Sequence, residues 1–444
     1  MKTCLVSLFL GCAIFSGSAF AQSSAPAGSG KTIVLRATRM FDGKSDKVIE
    51  PGLVVISNGK IQSVGGSSVP SGAEVIDLGD ATLLPGFIDA HTHLSMAFNP
   101  DYAAQELLNL KLTVAEEALL ASVNARKTLV GGFTTVRDVG SFDFVDIGLR
   151  NAIAKGAIVG PRMLVAVHAI GATGGHCDNG GFRFGLFGRE TNFEDGIINS
   201  PDQARAAVRL NVKYGADVIK TCATGGVLSL TDDVDTPQLT QAELDALVDE
   251  AHALRRKTAA HAHGASGAKR AINAGIDSIE HGTFLDDEAM RMMREHGTYL
   301  VPTLMVRTGI RESKLPPVVQ VKADAAMAQA DNMMRRAVEM GVKIALGTDA
   351  AVYPHGNNAG EFGLMCADGL TPAQSLKAGT SSAAELLGLA AKIGTLEPGK
   401  IADVVVVPGD PLQNIHNTES VFFVMKGGVI YRNDHAAHSR TPGE

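Results

Sequence analysis

The sequence predicts an α/β protein, namely a (β/α)8 TIM-type barrel with a small β-sandwich domain formed from both termini. Three observations support this prediction. β-Rich segments lie near both ends, the long middle alternates strand-like with helix-like segments, and eight candidate strands can be counted there. With 444 residues, 45% of them hydrophobic and 20% charged, the chain can bury one large core or two modest ones.

Residues 1–21 have the pattern of a secretory signal. One lysine precedes an apolar stretch that ends in Ala19-Phe20-Ala21, which fits the small-x-small cleavage rule. We therefore expect the mature protein to begin near Gln22 and to be exported, either periplasmic or secreted. A membrane anchor and lipidation at Cys12 are the alternatives. No later segment has the apolar length of a transmembrane helix, so we expect no stable membrane span.

Two β-rich regions flank the middle of the chain. Residues 22–31 form a small, polar linker, and short β-type runs separated by Gly, Asn and Asp turns follow in residues 32–80. Similar runs return only in residues 391–435. We expect these two regions to form one composite β domain.

Residues 81–390 carry the βα alternation of a parallel barrel. Its eight candidate strands end at residues 90–93, 136–138, 167–168, 219–221, 260–263, 280–281, 303–304 and 347–349. Most of these strands finish on a His, Lys or Asp. Because catalytic groups of such barrels lie at the C-terminal ends of the strands, this regularity predicts an enzyme site.

The cysteines predict no disulfide framework. Cys4 and Cys12 would leave with the signal, and the remaining Cys177, Cys222 and Cys366 are an odd, widely spaced set. Stability is therefore expected to come from the core.

The charge balance argues against a nucleic-acid partner. The formal net charge is −7, and no cluster of Lys and Arg offers the basic stripe that neutralises a phosphate backbone. A small-molecule substrate fits this composition better.

The first candidate strand ends in a pair of metal ligands. His91 and His93 are two residues apart, so strand geometry turns both imidazoles to the same face, where they can bind one divalent ion. Surface or core histidines are the alternative for an isolated HxH pair. Here the pair ends an apolar strand that follows Pro85-Gly86, which favours ligation.

Lys220 closes the apolar run of the fourth strand. A bare ammonium is costly to bury, so this lysine needs a partner or a changed charge. Carbamylation by CO2 would convert it into an anionic oxygen donor able to bridge two metals. A lysine that reaches solvent or pairs with a carboxylate is the alternative.

Further donors end the later strands. Together with the HxH pair and a carbamylated lysine, His261, His281 and Asp349 could hold two divalent ions, for which zinc is suitable and manganese, cobalt and iron remain open. Asp349 is expected to be catalytic, taking a proton from the attacking water and passing it to the leaving amine. An N-cap or turn role is its alternative.

Other histidines lie where barrel loops form a pocket. By position alone either His261 or His263 could be the fifth-strand ligand. His168, His176 and His355 follow the third and eighth strands, where each could bind substrate or simply satisfy a loop backbone.

The combination of motifs resembles the amidohydrolase superfamily, in its imidazolonepropionase-like and Xaa-Pro dipeptidase-like branch. The segments that carry the likeness are LLPGFIDAHTHL, DVIKTCATGGV, AAHAHG, SIEHG, ALGTDA and IGTLEPGKIADVVVV. The whole chain is most similar to the ochratoxin-hydrolysing amidohydrolases. In binuclear members these positions bind the metals, which implies the ligand set His91, His93, N6-carboxylated Lys220, His261, His281 and Asp349.

The resemblance also implies an activity. It points to a binuclear hydrolase that cleaves an amide bond and releases a C-terminal amino acid from a small N-acyl amino acid or dipeptide. It places His263 beside the substrate as a catalytic residue and implies a homo-oligomer. A mononuclear deaminase or cyclic-imidate hydrolase, or a non-catalytic exported metal-binding protein, is the alternative. Arg307, Arg183 and Arg189 are candidates for binding the substrate carboxylate, with exposed helix or loop positions as their alternative.

Overall fold

The computed structural model of the protein describes residues 31–434. The expected signal segment, all of the expected linker except Lys31, and residue 435 of the expected composite domain lie outside the described residues. Within 31–434, no helix combines the length and apolar character needed to cross a membrane.

Two sheets lie at the ends of the described chain: the first contains N-terminal strands alone, and the second combines strands from both ends. The first has the order β4-β3-β1-β5 and the second β19-β18-β17-β6-β2. Side chains of both sheets share one buried apolar cluster. The strands are β1 (Ile33–Ala37), β2 (Arg39–Met40), β3 (Gly52–Ser57), β4 (Lys60–Val64), β5 (Glu74–Asp77), β6 (Ala81–Pro85), β17 (Val404–Pro408), β18 (Phe423–Lys426) and β19 (Val429–Asn433).

The boundary expected at residue 81 needs a correction. Strand β6 pairs antiparallel with β17, with Leu84 opposite Val405, so residues 81–85 belong to the terminal sheet. The apolar run of residues 83–90, which predicts one barrel strand before His91, therefore contains parts of two buried strands, β6 and the following strand, with different partners.

Eight parallel strands follow the barrel order but form two sheets rather than one uninterrupted ladder. Backbone hydrogen bonds join the sheets at both seams, from Ala90 N to Leu346 O at 2.9 Å and from Ile170 N to Lys220 O at 2.8 Å. One sheet contains β7 (Phe87–Thr92), β8 (Phe133–Asp138) and β9 (Arg162–Val165). The other contains β12 (Val218–Cys222), β13 (Lys257–Gly264), β14 (Ser278–Phe284), β15 (Tyr299–Val301) and β16 (Lys343–Ile344).

Helices follow most of the parallel strands, and several of them begin at a residue whose side chain caps the first turn. Thr240 caps its helix through a capping box with Glu243, in which each side chain bonds the other residue's backbone N–H. The helices are α1 (Tyr102–Asn109), α2 (Val114–Val130), α3 (Val145–Ala154), α4 (Pro201–Tyr214), α5 (Gln241–Ala253), α6 (Ala265–Asn273), α7 (Asp287–His296), α8 (Val306–Glu312), α9 (Pro317–Glu339), α10 (Gly360–Ala367), α11 (Pro372–Lys377) and α12 (Ala383–Leu386). A short parallel pair, β10 (Gly171–Ala172) and β11 (Ile197–Ile198), brackets the loop after β9.

Several of the strands end earlier than the sequence predicts. Strand β9 ends at Val165, β15 at Val301 and β16 at Ile344, before His168, Thr303 and Asp349 respectively. Thr303 and Asp349 have φ angles of 51° and 57°, which are incompatible with a strand. These polar residues therefore lie on the loops that follow the strands.

The cysteine prediction was wrong. Cys177 and Cys222 form a disulfide with a Cα–Cα distance of 6.0 Å, although they are 45 residues apart in the chain. The loop after β9 returns to the end of β12, and this return brings the two cysteines together. Cys366 is free.

A partly buried ion pair joins the terminal sheet to the barrel. Arg162 Nη1 on β9 donates to Asp403 Oδ2 at 2.6 Å, and Asp403 Oδ1 accepts the backbone N–H of Gly427 at 2.8 Å. The Asp403 side chain is only 4% exposed, so the carboxylate depends on these partners rather than on water.

We expect Arg162→Met to lower the free energy of unfolding by about 2 kcal/mol, because it leaves the buried carboxylate of Asp403 without its cation. Urea unfolding followed by circular dichroism measures the loss. Arg36→Met is the control, since the pair of Arg36 with Asp77 is about half exposed on both sides and should contribute far less. Equal losses in the two variants would show that burial of the Asp403 pair does not matter.

Candidate functional site

A cavity of about 410 Å³ opens at the C-terminal ends of the parallel strands. Its polar part contains His91, His93, His168, His176, Lys220, His261, His263, His281 and Asp349. Much of the remaining lining is apolar and includes Met96, Phe98, Phe142, Val227, Leu228, Val306, Ile310 and Leu315. Except for His355 and the three arginine candidates, the cavity therefore collects the site residues proposed from the sequence.

The two histidines of the first parallel strand are oriented by acceptors behind them. His91 Nδ1 lies 2.7 Å from Glu280 Oε2, and His93 Nδ1 lies 2.9 Å from the carbonyl oxygen of Gly140. A carbonyl or an ionised carboxylate can only accept, so each Nδ1 carries the proton. Nε2 of each ring is left with a free lone pair for a metal.

The histidines of strands β13 and β14 are held in the same way but with different nitrogens. Thr303 donates its hydroxyl to Pro302 O at 2.8 Å and so accepts from His281 Nδ1 at 2.7 Å. His261 Nε2 donates to Gly225 O at 3.0 Å, which leaves Nδ1 free. Each of the four proposed ligand histidines thus has one committed nitrogen and one free nitrogen.

Asp349 completes the group around the first strand. Its Oδ1 lies 3.5 Å from Nε2 of both His91 and His93. Burial raises the pKa of Asp349 to about 6, against the effect of nearby Lys220. One potential ligand atom from each of His91, His93 and Asp349 lies within 4.8 Å of the others, close enough for one ion.

A second group combines His261, His263 and His281, again with potential ligand atoms within 4.8 Å of one another. His263 Nδ1 is 2.8 Å from Thr283 Oγ1, and its ring stacks on that of His281 at 4.9 Å between centroids. His263 therefore lies among the candidate ligands as well as on the cavity wall. The rings of His91 and His281, 5.1 Å apart, connect the two groups.

Lys220 is buried between these groups and is 4% exposed. Its ammonium makes no hydrogen bond or ion pair with any residue in the described part of the chain. Burial lowers the pKa of Lys220 to about 8, although Glu280 and Asp349 favour the charged form. A neutral amine is the form that can react with CO2, so this position suits a carboxylated lysine.

The structure separates the remaining site candidates. His168 and His176 line the cavity, whereas His355 lies outside its lining and bonds the carbonyl of Met96 through Nε2 at 2.8 Å. Arg307 is also outside the lining, because its guanidinium pairs with Asp331 and Asp368. The substrate roles expected for His355 and Arg307 are therefore not supported by their positions.

The other two arginines do not supply the missing cation. Arg183 and Arg189 are exposed and lie outside the cavity lining, and Arg189 pairs with Asp195 at 2.6 Å. Among the described residues that line the cavity, Lys220 is the one Lys or Arg side chain.

Sequence reasoning missed the buried ion pair beneath the histidines. Arg137 Nη2 donates to Glu280 Oε1 at 2.8 Å, and Ser278 Oγ donates to the same oxygen at 2.5 Å. Arg137 Nε also donates to Ala90 O at 2.5 Å. The available signal was a charged residue inside each of two strand-like segments, Arg137 in FTTVRD and Glu280 in SIEHGTF, because such charges are costly to bury unless they pair.

Comparison with known proteins agrees with this geometry. The family model described as "Amidohydrolase family" matches residues 82–432. Ochratoxinase from Aspergillus niger is 31% identical over 373 residues, which are 79% of this chain and 75% of that protein.

Two solved structures share the architecture. A Xaa-Pro dipeptidase with methionine bound in its active site has a TM-score of 0.85 and 39% identity, covering 91% of this chain and 100% of that one. A prolidase complexed with N-methylphosphonate-L-proline has a TM-score of 0.81 and 29% identity, covering 91% and 100%. These likenesses imply the TIM-type α/β barrel and a hydrolase acting on amide bonds. The chain belongs to the metal-dependent amidohydrolase family.

Proposed function

We propose that this protein is a binuclear amide hydrolase that releases a C-terminal amino acid from a small N-acyl amino acid or dipeptide. One observation carries the proposal. Four histidines, each with one hydrogen-bonded and one free ring nitrogen, lie in the same cavity as Asp349 and a buried lysine that has no hydrogen-bond or ion-pair partner among the described residues. His91, His93 and Asp349 would hold one ion, and His261 and His281 the other. Carboxylated Lys220 would link them, and the N, O donor set suits zinc.

Two bound divalent ions would supply Lewis-acid activation of water and of the scissile carbonyl. The chain's own contribution is positioning and proton transfer. Asp349, on the loop that follows β16, can take a proton on a carboxylate oxygen and return it to the leaving amine. Glu280 keeps His91 in the Nδ1–H form, so that its other nitrogen is available without a change of tautomer.

The substrate class follows from the cavity and from the relatives. The matched proteins include an ochratoxinase, a Xaa-Pro dipeptidase and a prolidase. The cavity is lined by many apolar side chains together with a group of histidines. An apolar acyl group would pack against residues such as Phe98 and Leu228. Because no arginine lines the described cavity, we propose that imidazole groups such as His168 hold the substrate carboxylate.

Export is part of the proposal. The Cys177–Cys222 disulfide supports it, because disulfides persist mainly in oxidising compartments such as the periplasm and the extracellular medium.

Metal content and hydrolysis test the proposed function directly. Purified protein should contain about two divalent ions per chain and cleave members of a panel of N-acyl-phenylalanine, ochratoxin-type and Xaa-Pro substrates. Lys220→Ala should lose at least about 100-fold in kcat/KM together with part of its metal. One ion per chain, with activity indifferent to Lys220, would favour the mononuclear deaminase or cyclic-imidate hydrolase instead.

Chemical rescue distinguishes a carboxylated from a cationic Lys220. In Lys220→Ala, acetate should restore measurable hydrolysis because it supplies the missing anionic oxygens, whereas methylammonium should not. Rescue by methylammonium alone would mean that the native side chain acts as an ammonium.

Glu280→Gln should weaken metal binding by about 10- to 100-fold, because the substituted amide no longer holds His91 through a carboxylate and Arg137 loses its counter-ion. Competition with a fluorescent chelator measures the affinity. The matched control is Glu385→Gln, a surface carboxylate paired with Lys343. An unchanged metal affinity in Glu280→Gln would contradict the positioning role.

Asp349→Asn tests the proton-transfer role. We expect kcat to fall by at least about 100-fold, since an amide cannot accept the proton from water. A variant that retains metal and near-normal kcat would restrict Asp349 to ligation or to the loop structure.

A further inference from the structure

The loop that follows β12 encloses His176 in a set of contacts that the proposed chemistry does not use. The ring of His176 stacks on that of His261 with centroids 4.1 Å apart, and His176 lines the cavity. A Cβ atom on Gly226 would lie 2.0 Å from His176 Nδ1, so only glycine leaves room for the ring in this position.

Hydrogen bonds determine which nitrogen of His176 is protonated. Ser229 Oγ donates to Asp232 Oδ1 at 2.5 Å or to Gly226 O at 3.1 Å, and both of these oxygens can only accept. The hydroxyl therefore accepts from His176 Nδ1, which lies 3.2 Å away. Nε2 is then the nitrogen with the free lone pair, and it makes no hydrogen bond with any residue in 31–434.

A second chain of contacts holds the backbone of the same residue. Asp232 Oδ2 accepts from Gln238 Nε2 at 2.7 Å, and Gln238 Oε1 accepts the backbone N–H of His176 at 3.0 Å. The next residue, Cys177, is tied by its disulfide to Cys222 at the end of β12. Asp232 thus supports His176 at both ring and backbone.

Lys322 on helix α9 anchors this loop from outside the site. Its Nζ donates to the carbonyl oxygens of Gly226 at 2.8 Å, Ser229 at 2.7 Å and Asp232 at 3.0 Å, and lies 3.3 Å from Asp232 Oδ1. The side chain of Lys322 is 10% exposed and that of Asp232 is 6% exposed. The ammonium therefore uses its three N–H groups on backbone carbonyls of one turn and lies as a counter-ion beside the carboxylate that orients Ser229.

We infer that Ser229, Asp232 and Lys322 are positioning residues that present Nε2 of His176 to the substrate as a hydrogen-bond acceptor. The group it would recognise is an N–H donor, such as an amide N–H or the α-ammonium of a dipeptide. The expected kinetic effect rests on the proposed amide hydrolysis, whereas the expected tautomer of His176 does not.

The tautomer is tested without activity. Long-range ¹H–¹⁵N NMR of imidazole-labelled, metal-loaded protein, assigned with His176→Gln, should show His176 protonated at Nδ1. Ser229→Ala should remove that preference, whereas Ser229→Thr should retain it because the hydroxyl is kept. An Nε2–H form in the wild type would overturn the inference. Absence of amide hydrolysis with the expected tautomer would instead overturn only the proposed function.

A double-mutant cycle tests the kinetic role on an N-acyl-phenylalanine. Ser229→Ala should lower kcat/KM by about tenfold through KM, with metal content and melting temperature unchanged, and Ser229→Thr should restore most of it. In the His176→Gln background the same substitution should cost less than about twofold, because its target is gone. A tenfold loss in both backgrounds would show that Ser229 acts independently of His176. Ser122→Ala on α2 is the matched control.

Lys322→Met tests the outer anchor. We expect the same rise in KM as in Ser229→Ala, while Lys392→Met, an exposed lysine, should leave KM unchanged. A normal KM in a folded, metal-loaded Lys322→Met protein would remove Lys322 from the positioning set.

Discussion

The buried pair of Arg137 and Glu280 connects the two parallel sheets with the proposed metal site. Arg137 on β8 bonds a carbonyl of β7 and the carboxylate of Glu280 on β14, and Glu280 in turn bonds His91. Both side chains are at most 1% exposed, so neither charge could remain there without the other. A charge pair that crosses the interior thus joins strands of both sheets and orients His91, the first of the proposed ligands.

The same principle applies to the other proposed ligands. A buried imidazole needs a hydrogen-bond acceptor for its N–H, and it can bind a metal only if the other nitrogen keeps its lone pair free. Near each strand end a nearby oxygen atom accepts from the N–H. Gly140, Gly225 and Thr303 provide those acceptors for His93, His261 and His281. His281 and Asp349 both have positive φ angles, 69° and 57°, which is an unfavourable backbone conformation placed where the ligands converge.

Part of the cavity lining depends on contacts between loops. The disulfide joins the loop after β9 to the end of β12, and Lys322 draws the loop after β12 toward helix α9. Their common consequence is a fixed place for His176 beside His261. The proposed substrate recognition by His176 would therefore depend on loop segments that no strand or helix period describes.

The sequence by itself determined the class of fold, the family and the candidate donors. These features depend on residues that are close together in the chain, so the sequence reveals them. The pair of His91 and His93 is an example, because its two-residue spacing at the end of an apolar run already indicates two side chains on one face of a strand. Only the tertiary structure decided that Glu280 accepts a hydrogen bond from His91, 189 residues away, and that Cys177 forms a disulfide with Cys222. It also decided that Arg307 forms ion pairs with Asp331 and Asp368 outside the cavity lining. These pairings depend on how distant loops and strands pack together, and that packing leaves no periodic signal in the chain.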